Sequence, residues 1–307
     1  MTLSTLAAVA GLAAWSPSSA PLPKAPPAPP SASVAGGPAA PLVAVASPSG
    51  AAIGWDAMIG TLLRARVIAV GEKHDDAAQH QIQAKVLASL ADRDPGLVVG
   101  FEMVSLDQQA ELDGFASGKI SEADFAAWWD KTWGFDYAMY KPIFDVARAR
   151  GLRMYGLNAP IGVVVDVAKK GLAGLTPAER AQIPATIAES ADPRYRGFVK
   201  AALADHHLPP QALRNMIMAQ AVWNETMGAA AARLAASSRV VVIAGQGHMM
   251  WKAGVPESAA RRGAGPVAVV LPYPLDGTRL SVPDALRRLR DPKSDDLALA
   301  DDFVLIP

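Results

Sequence analysis

Two of the five histidines in this 307-residue chain follow a glycine at the same spacing. Gly71-Glu72-Lys73-His74 and Gly245-Gln246-Gly247-His248 each come after a short apolar run that is typical of a buried strand. A glycine lets the chain turn sharply, so that the histidine three residues later can point back over the end of the sheet. Glu102 follows a third such run. The spacing therefore predicts that two imidazoles and a carboxylate meet at one sheet edge.

This combination of side chains is suited to three kinds of chemistry. In the first, His74, Glu102 and His248 hold a divalent transition metal in a three-ligand site with an open position. Glu72 or Glu102 then serves as a ligand or as the general base in hydrolysis of an ester or peptide bond. In the second, His74 abstracts a proton without a metal while Glu102 orients it. In the third, a His, Tyr or Met side chain ligates the iron of haem and an apolar cleft holds the porphyrin.

Candidate haem contacts are histidines, tyrosines, methionines and one asparagine near the predicted strand ends. They are His74, His80, Met103, Tyr137, Tyr140, Asn158, His248 and Met249. His80 lies one and a half helical turns after His74, where it either lines the pocket or faces solvent. The aromatic stretch from Trp128 to Tyr140 is a candidate ligand wall, although such stretches more often pack in a core. His206 and His207 lie in a polar turn and are expected to be exposed.

The order of apolar runs and helical stretches predicts an α/β fold with a mostly parallel central sheet flanked by helices. The predicted strands are 66–70, 97–101, 152–157, 239–244 and 266–271. Residues 161–238 carry no convincing strand and are expected to form a smaller helical subdomain. Helices are predicted there at about 176–190, 193–204 and 211–236. The charged segment after Tyr273 is expected to lie on the surface.

Residues 1–50 differ in composition from the rest of the chain, with ten of the 25 prolines and a single charged residue, Lys24. The apolar run from Leu3 to Trp15, followed by small residues up to Ala20, resembles a secretory signal peptide. The Pro- and Ala-rich stretch after it predicts a disordered linker. We therefore expect an exported protein, periplasmic or secreted, whose folded domain spans residues 51–307.

Overall composition excludes several classes of function. Lys and Arg together number 29, equal to Asp and Glu together, so the chain has no net field that would attract nucleic acid. The absence of cysteine excludes disulfides, iron–sulfur clusters, thiolate zinc sites and a cysteine nucleophile. It also excludes acylation at an N-terminal lipobox cysteine.

An ordered set of motifs resembles the ChaN-like haem-binding uptake proteins of the Tiki, or erythromycin-esterase-like, superfamily. The motifs are Gly71–Asp75 with His80, Gly100–Met103, Gln108-Gln109, Trp133–Asp136 with Tyr140, Asn158–Pro160, Ala219–Met227, Gly245–His248 and Gly254–Pro256. The resemblance implies an α/β core with a smaller helical subdomain, and a role in haem or iron uptake at the bacterial envelope. Elsewhere in the superfamily, similar Gly-x-x-His pairs and glutamates belong to metal-dependent proteases and to esterases that act on macrolides. By position, His74, Glu102 and His248 fall on the superfamily's polar site.

The resemblance also implies haem as ligand, an outer-membrane or periplasmic uptake component as partner, and a homodimer that forms around the haem. Many relatives are lipoproteins, so a chain without cysteine is expected to be released rather than anchored. Relatives tend to carry an acidic residue where this chain has Asn224. Glu225, about 100° further round the helix, would not replace it.

The leading hypothesis is therefore haem binding. The alternative is a metal-dependent hydrolase that uses His74, Glu102 and His248 on a peptide or ester. A third hypothesis is an envelope interaction protein that keeps the site for structural reasons only.

Overall fold

The computed structural model describes residues 43–46, 49–204, 208–274, 282–291 and 293–306. The strands in this part of the chain are β1 (Val43–Ala46), β2 (Ala51–Ile53), β3 (Val67–Glu72), β4 (Val98–Ser105), β5 (Arg153–Asn158), β6 (Val240–Gly245), β7 (Val267–Pro274) and β8 (Asp302–Ile306). They form one sheet in the order β2-β1-β8-β7-β3-β6-β4-β5. The six strands from β8 to β5 run parallel, whereas β1 is antiparallel to both of its neighbours. The predicted α/β fold with a mostly parallel sheet is confirmed.

Helices connect and cover these strands. They are α1 (Trp55–Leu62), α2 (Ala77–Ala91), α3 (Gln109–Ala116), α4 (Glu122–Thr132), α5 (Tyr137–Ala149), α6 (Ile161–Lys170), α7 (Pro177–Arg180), α8 (Pro193–Ala204), α9 (Pro210–Ala235), α10 (Val255–Arg261) and α11 (Val282–Leu289). None of these helices, within the described residues, is long and apolar enough to cross a membrane.

Both faces of the sheet are buried, which explains why its strands appear in the sequence as continuous apolar runs. In β3, Val67 and Ala69 pack into the core beneath α9, while Ile68 and Val70 pack into the core on the side of α2 and α5. Successive strand residues point to opposite faces, so a strand that is covered on both sides must be apolar at every position.

Three strands extend the sheet beyond the five predicted ones, and two of them contradict expectations. Val43–Ala46 forms β1, although this stretch was expected to belong to the disordered linker. Asp302–Ile306 forms the buried strand β8, although the C-terminal segment was expected on the surface. β8 covers the edge of β7, and β1 in turn pairs with β8. Such pairing between distant segments leaves no local signal in four or five residues. The signal-like run and the linker up to residue 42 lie outside the described residues, as do His206 and His207.

The helical block between β5 and β6 differs from its prediction at one place. Residues 161–204 and 208–238 contain no strand, as expected, but the predicted helix at 176–190 is reduced to α7. Pro184 lies within the predicted helix, and a proline disfavours helical geometry at the residue before it. Arg180 instead donates hydrogen bonds to the carbonyl oxygens of Ile183, Pro184 and Ala185. The assignment of this block to a separate subdomain stays a prediction.

Candidate functional site

The site lies where three neighbouring parallel strands end. β3 ends at Glu72, and His74 follows two residues later. β6, which lies between β3 and β4, ends at Gly245 and continues into a 3-10 turn over Gln246–His248. β4 carries Glu102. The strand order thus brings together the two Gly-x-x-His segments and the glutamate, as predicted.

His74 is bound between two carboxylates. Its Nδ1 lies 2.5 Å from Glu72 Oε1, and its Nε2 lies 3.9 Å from Glu102 Oε1. The imidazole is buried, which by itself lowers the pKa of His74. The negative charge and hydrogen bond of Glu72, together with the charge of Glu102, outweigh burial and raise the pKa of His74 to about 9. In the ligand-free site His74 is therefore protonated at neutral pH.

Glu102 connects His74 to His248. Its Oε1 lies 3.0 Å from His248 Nε2, and its Oε2 accepts a hydrogen bond of 2.6 Å from the backbone N–H of Gly245. Burial alone would raise the pKa of this carboxyl. The neighbouring His248 and His74 more than offset burial and lower the pKa of Glu102 to about 2. Glu102 is therefore an anion throughout the physiological range.

The other ring nitrogen of His248 faces helix α9. Its Nδ1 lies 2.7 Å from Asn224 Oδ1 and 3.1 Å from Gln220 Nε2. Asn224 Nδ2 donates to the hydroxyl of Tyr195 at 2.9 Å, and that hydroxyl donates to the carbonyl oxygen of Gly247 at 2.8 Å. All of these side chains are buried.

The imidazole Nε2 atoms of His74 and His248 are the unusual feature of the site. Both are buried, and both face the same oxygen of Glu102, which lies 3.0 Å from Nε2 of His248 and 3.9 Å from Nε2 of His74. One ligand atom each from Glu72, His74 and Glu102 lies within 4.8 Å of the others. Histidines that bind metals commonly donate their second ring N–H to a neighbouring acceptor, as the Nδ1 contacts here allow. The donor set thus fits a divalent cation or an iron atom.

Aromatic side chains cover the two imidazoles. The Trp133 ring meets His74 edge-on with 4.9 Å between centroids, and the Phe135 ring lies 5.2 Å away. Trp223 lies beside His248, with 6.1 Å between ring centroids. Because each of the two histidines is only 1% exposed, a bulky ligand reaches them only when this cover moves.

Tyr140 and His80 were both predicted to bind a cofactor, and in the structure both contact His74. The Tyr140 hydroxyl accepts from Trp133 Nε1 at 3.1 Å and lies 3.4 Å from His74 Nδ1. Burial, reinforced by the charge of Glu72, raises the pKa of Tyr140, which keeps its hydroxyl neutral. The His80 ring packs on Tyr140 with 4.0 Å between centroids, and its Nε2 lies 3.4 Å from the carbonyl oxygen of His74.

The remaining predicted residues lie at different distances from this centre. Asn158 donates from its side-chain amide to the carbonyl oxygen of Glu102 at 3.0 Å. Met249 is buried beside Gly71, and Met103 is buried in the core on the α2 side of the sheet. Tyr137 packs among core aromatic rings, those of Phe125, Trp129 and Phe144. Its buried hydroxyl has no hydrogen-bond partner in the described part of the chain.

Gly71 and Gly245 do not adopt a backbone conformation that only glycine allows, contrary to the expectation from the sequence. Gly245 has φ −58° and ψ 138°, which any residue can adopt, and Gly71 is not among the glycines with positive φ. The expected need for glycine's conformational freedom is therefore wrong. At Gly71 the reason is space, because an added Cβ would lie 2.4 Å from Leu271 Cδ2 and 3.1 Å from Met249 Sδ.

Sequence reasoning missed Tyr195 of α8, and it noted Gln220 and Asn224 of α9 only through the family resemblance, without assigning them to the site. Gln220 and Asn224 are four residues apart, so they share one helix face, and this spacing is the signal that could have revealed them. Glu225 lies on another face, where it pairs with Arg261 and Arg262 of the α10 region. The prediction that Glu225 does not replace an acid at position 224 is confirmed.

Comparisons with known proteins agree with this architecture. The family model described as "Haem-binding uptake, Tiki superfamily, ChaN" matches residues 58–258. The structure of ChaN of Campylobacter jejuni, described as showing cofacial haem binding, is 16% identical and has a TM-score of 0.63, covering 86% of this chain and 96% of that one. An erythromycin esterase mutant, EreC, in its open conformation is 12% identical with a TM-score of 0.50, covering 82% of this chain and 93% of the esterase. At these identities the likeness shows a shared fold. No curated protein sequence matches this chain.

Proposed function

We propose that this chain, which belongs to the family of ChaN haem-binding uptake proteins in the Tiki superfamily, binds haem at the carboxyl edge of its sheet. The observation that carries the proposal is the family match over residues 58–258, which includes both Gly-x-x-His segments and Glu102. The two buried Nε2 atoms of His74 and His248, which face one oxygen of Glu102, support it, because an imidazole nitrogen is a common ligand of haem iron.

His248 is the better candidate for the iron ligand. Nε2 of His74 can bind iron only after its ring loses a proton, and the pKa of His74 is raised to about 9. Trp133, Phe135 and Trp223 would provide apolar contact for the porphyrin once they move away from the imidazoles. Tyr140 and His80 would then hold His74 in place, and Asn158 would hold Glu102, rather than touch the iron.

We further propose a role in haem or iron handling at the bacterial envelope, with the chain exported to the periplasm or secreted. The signal-like run supports this location. An outer-membrane or periplasmic uptake component is the proposed partner. Pairing of two subunits around haem is proposed from the cofacial haem binding named for ChaN of Campylobacter jejuni.

Titration of the full chain with haemin, followed by absorbance, tests haem binding. We expect a saturable Soret shift at simple stoichiometry, and a loss of affinity of about tenfold or more in His248→Gln. His80→Gln is the matched comparison, because His80 is equally buried but only supports His74, so its loss of haemin affinity should be clearly smaller than that of His248→Gln. A Soret signal that never saturates, or one that His248→Gln leaves unchanged, would contradict the proposal.

A second candidate function is metal-dependent hydrolysis of a peptide or ester bond. It is favoured by one observation, the clustering of Glu72, His74 and Glu102 ligand atoms within 4.8 Å, with His248 beside them. A bound divalent cation would supply a water ligand of lowered pKa as the nucleophile. Here Glu102, already anionic, would help to hold the cation, and Glu72 would orient His74.

Metal content and chelator sensitivity separate the two functions. A divalent metal that co-purifies with the haem-free chain, together with ester or peptide hydrolysis that a chelator abolishes, would favour the hydrolase. Loss of this hydrolysis in Glu102→Gln would assign it to the site. A chain with neither a Soret shift nor a metal would favour the third hypothesis, an interaction protein that keeps the site for structure.

A further inference from the structure

We infer that Trp133, Gly134 and Phe135 form a gate that controls the entry of large, flat ligands such as haem, with Gly134 as its hinge. The inference rests on the proposed function only for the identity of the ligand. The gate itself is a property of the ligand-free chain, so its opening can be measured without haem.

Three aromatic rings cover the two imidazoles, and two of them belong to a short connection. Trp223 lies in the middle of helix α9, where helical hydrogen bonds hold its backbone. Trp133 and Phe135 lie instead in the four-residue connection between α4 and α5. Both rings contact His74 and remain partly exposed, so a single layer of side chains separates this imidazole from solvent here. The cover of His74 is therefore the part that can move most easily.

Gly134, between the two rings, has the properties of a hinge. It is exposed, it has φ +85°, and an added Cβ would have no atom within 4 Å. Glycine changes its backbone dihedrals at little steric cost, and both adjoining side chains turn with it. The flanks are fixed, because the Trp133 backbone N–H donates to Trp129 at 2.8 Å and Asp136 caps α5 through the Ala138 N–H at 2.8 Å. The movement is thus confined to the gate.

Two hydrogen bonds hold the gate closed. Trp133 Nε1 donates to the Tyr140 hydroxyl at 3.1 Å, and Trp129 Nε1 donates to the carbonyl oxygen of Phe135 at 2.9 Å. The Trp133 ring is partly exposed, so water can replace its partner when the gate opens, and this bond contributes only modestly to the closed state. The closed gate is favoured without being locked.

The gate separates ligands by size. Nε2 of His74 and of His248 belongs to a ring that is 1% exposed, and a porphyrin must lay its face against such a ring, so the closed gate excludes it. A single ion needs only the ligand atoms, and those of Glu72, His74 and Glu102 lie within 4.8 Å of one another in the closed chain. The closed site therefore suits an ion, and a macrocycle requires the open gate.

The population of the open gate is measured by ¹⁹F NMR of the full chain labelled with fluorotryptophan, free of haem and treated with a chelator. Trp133→Phe assigns the Trp133 resonance. Gly134→Ala should increase the open population about fivefold to thirtyfold, because alanine at positive φ is strained in the closed gate. Gly118→Ala is the matched control, because Gly118 has φ +73° and equally open surroundings in the exposed turn after α3. It should cost similar stability and leave the Trp133 resonance unchanged.

Stopped-flow absorbance of haemin association measures the consequence for entry. The association rate of Gly134→Ala should rise with its open population, and that of Trp133→Phe about twofold to tenfold, because its hydrogen bond to Tyr140 is lost. Trp55→Phe removes an equivalent bond, from Trp55 Nε1 to Ser89 Oγ at 2.9 Å, and should leave the rate unchanged. The rate is compared rather than the affinity, because the Trp133 ring also offers contact to a bound porphyrin.

The two measurements separate failure of the gate from failure of the proposed function. A Gly134→Ala chain whose Trp133 resonance is the same as in Gly118→Ala would overturn the inference. So would a Gly134→Ala chain that binds haemin no faster than the wild type. If haemin never binds while the Trp133 resonance responds to Gly134→Ala, the proposed function is overturned instead and the gate stands.

Discussion

Replacement of Glu72 by Gln is expected to remove most of the pH dependence of stability on the alkaline side of neutrality. The amide oxygen of Gln can still accept the hydrogen bond from His74 Nδ1, which the carboxylate makes at 2.5 Å. What the substitution removes is the negative charge. Burial, which lowers the pKa of His74, is then opposed mainly by Glu102 across 3.9 Å.

The magnitude follows from the difference between the two pKa values of His74. The ordinary value is 6.5 and the value in the folded chain is about 9. Below pH 6.5 His74 is protonated in both the folded and the unfolded chain, and the stabilisation that its protonated ring contributes is complete. As the pH rises from 6.5 through 9, the unfolded chain loses this proton first, so the free energy of unfolding falls by about 3 kcal/mol in total. In Glu72→Gln the fall over the same range should be less than about 1 kcal/mol.

Urea denaturation of the haem-free, chelator-treated chain at several values between pH 6 and pH 9.5 measures this difference. Glu189→Gln is the matched control, because it removes the same charge from an exposed position. The control should lose stability with rising pH as the wild type does. A wild type whose unfolding free energy is constant between pH 6.5 and 9, or a Glu72→Gln variant that declines as steeply as the wild type, would refute the reasoning.

Three further predictions concern packing and buried charge. Gly71→Ala should lower the free energy of unfolding by about 1–3 kcal/mol, because its Cβ meets Leu271 at 2.4 Å, whereas Gly60→Ala has open space and should be neutral or stabilising in urea denaturation. Glu225→Gln should cost about 2 kcal/mol, since it removes a buried anion that pairs with two arginines, and haemin titration should show unchanged affinity. Burial raises the pKa of Asp302 to about 6, so its ionisation costs stability as pH rises from 3.8 through 6. Asp302→Asn should therefore raise the melting temperature at pH 7 and change it little at pH 3.5; an increase that is equal at both pH values would contradict this origin.

Much of the site could be predicted from the sequence because its parts are local. The strands that carry it are buried on both faces, so they stand out as apolar runs, and the polar residues just after them are few. Glu72, His74, Glu102 and His248 were all identified in this way. Tyr195 of α8 was not, and Asn224 of α9 was noted only through the family resemblance, because both lie in helices whose polar residues could equally have faced solvent.

The chain by itself determined which residues stand at the carboxyl ends of strands, since periodicity and burial are properties of short segments. Only the tertiary structure decided that β6 lies between β3 and β4, and this order is what brings His248 within 3.0 Å of Glu102. It also decided that β1 and β8 complete the sheet. The physical reason is the same in each case, because hydrogen bonding between strands depends on neighbours that are distant in sequence, and no local pattern records which strands become neighbours.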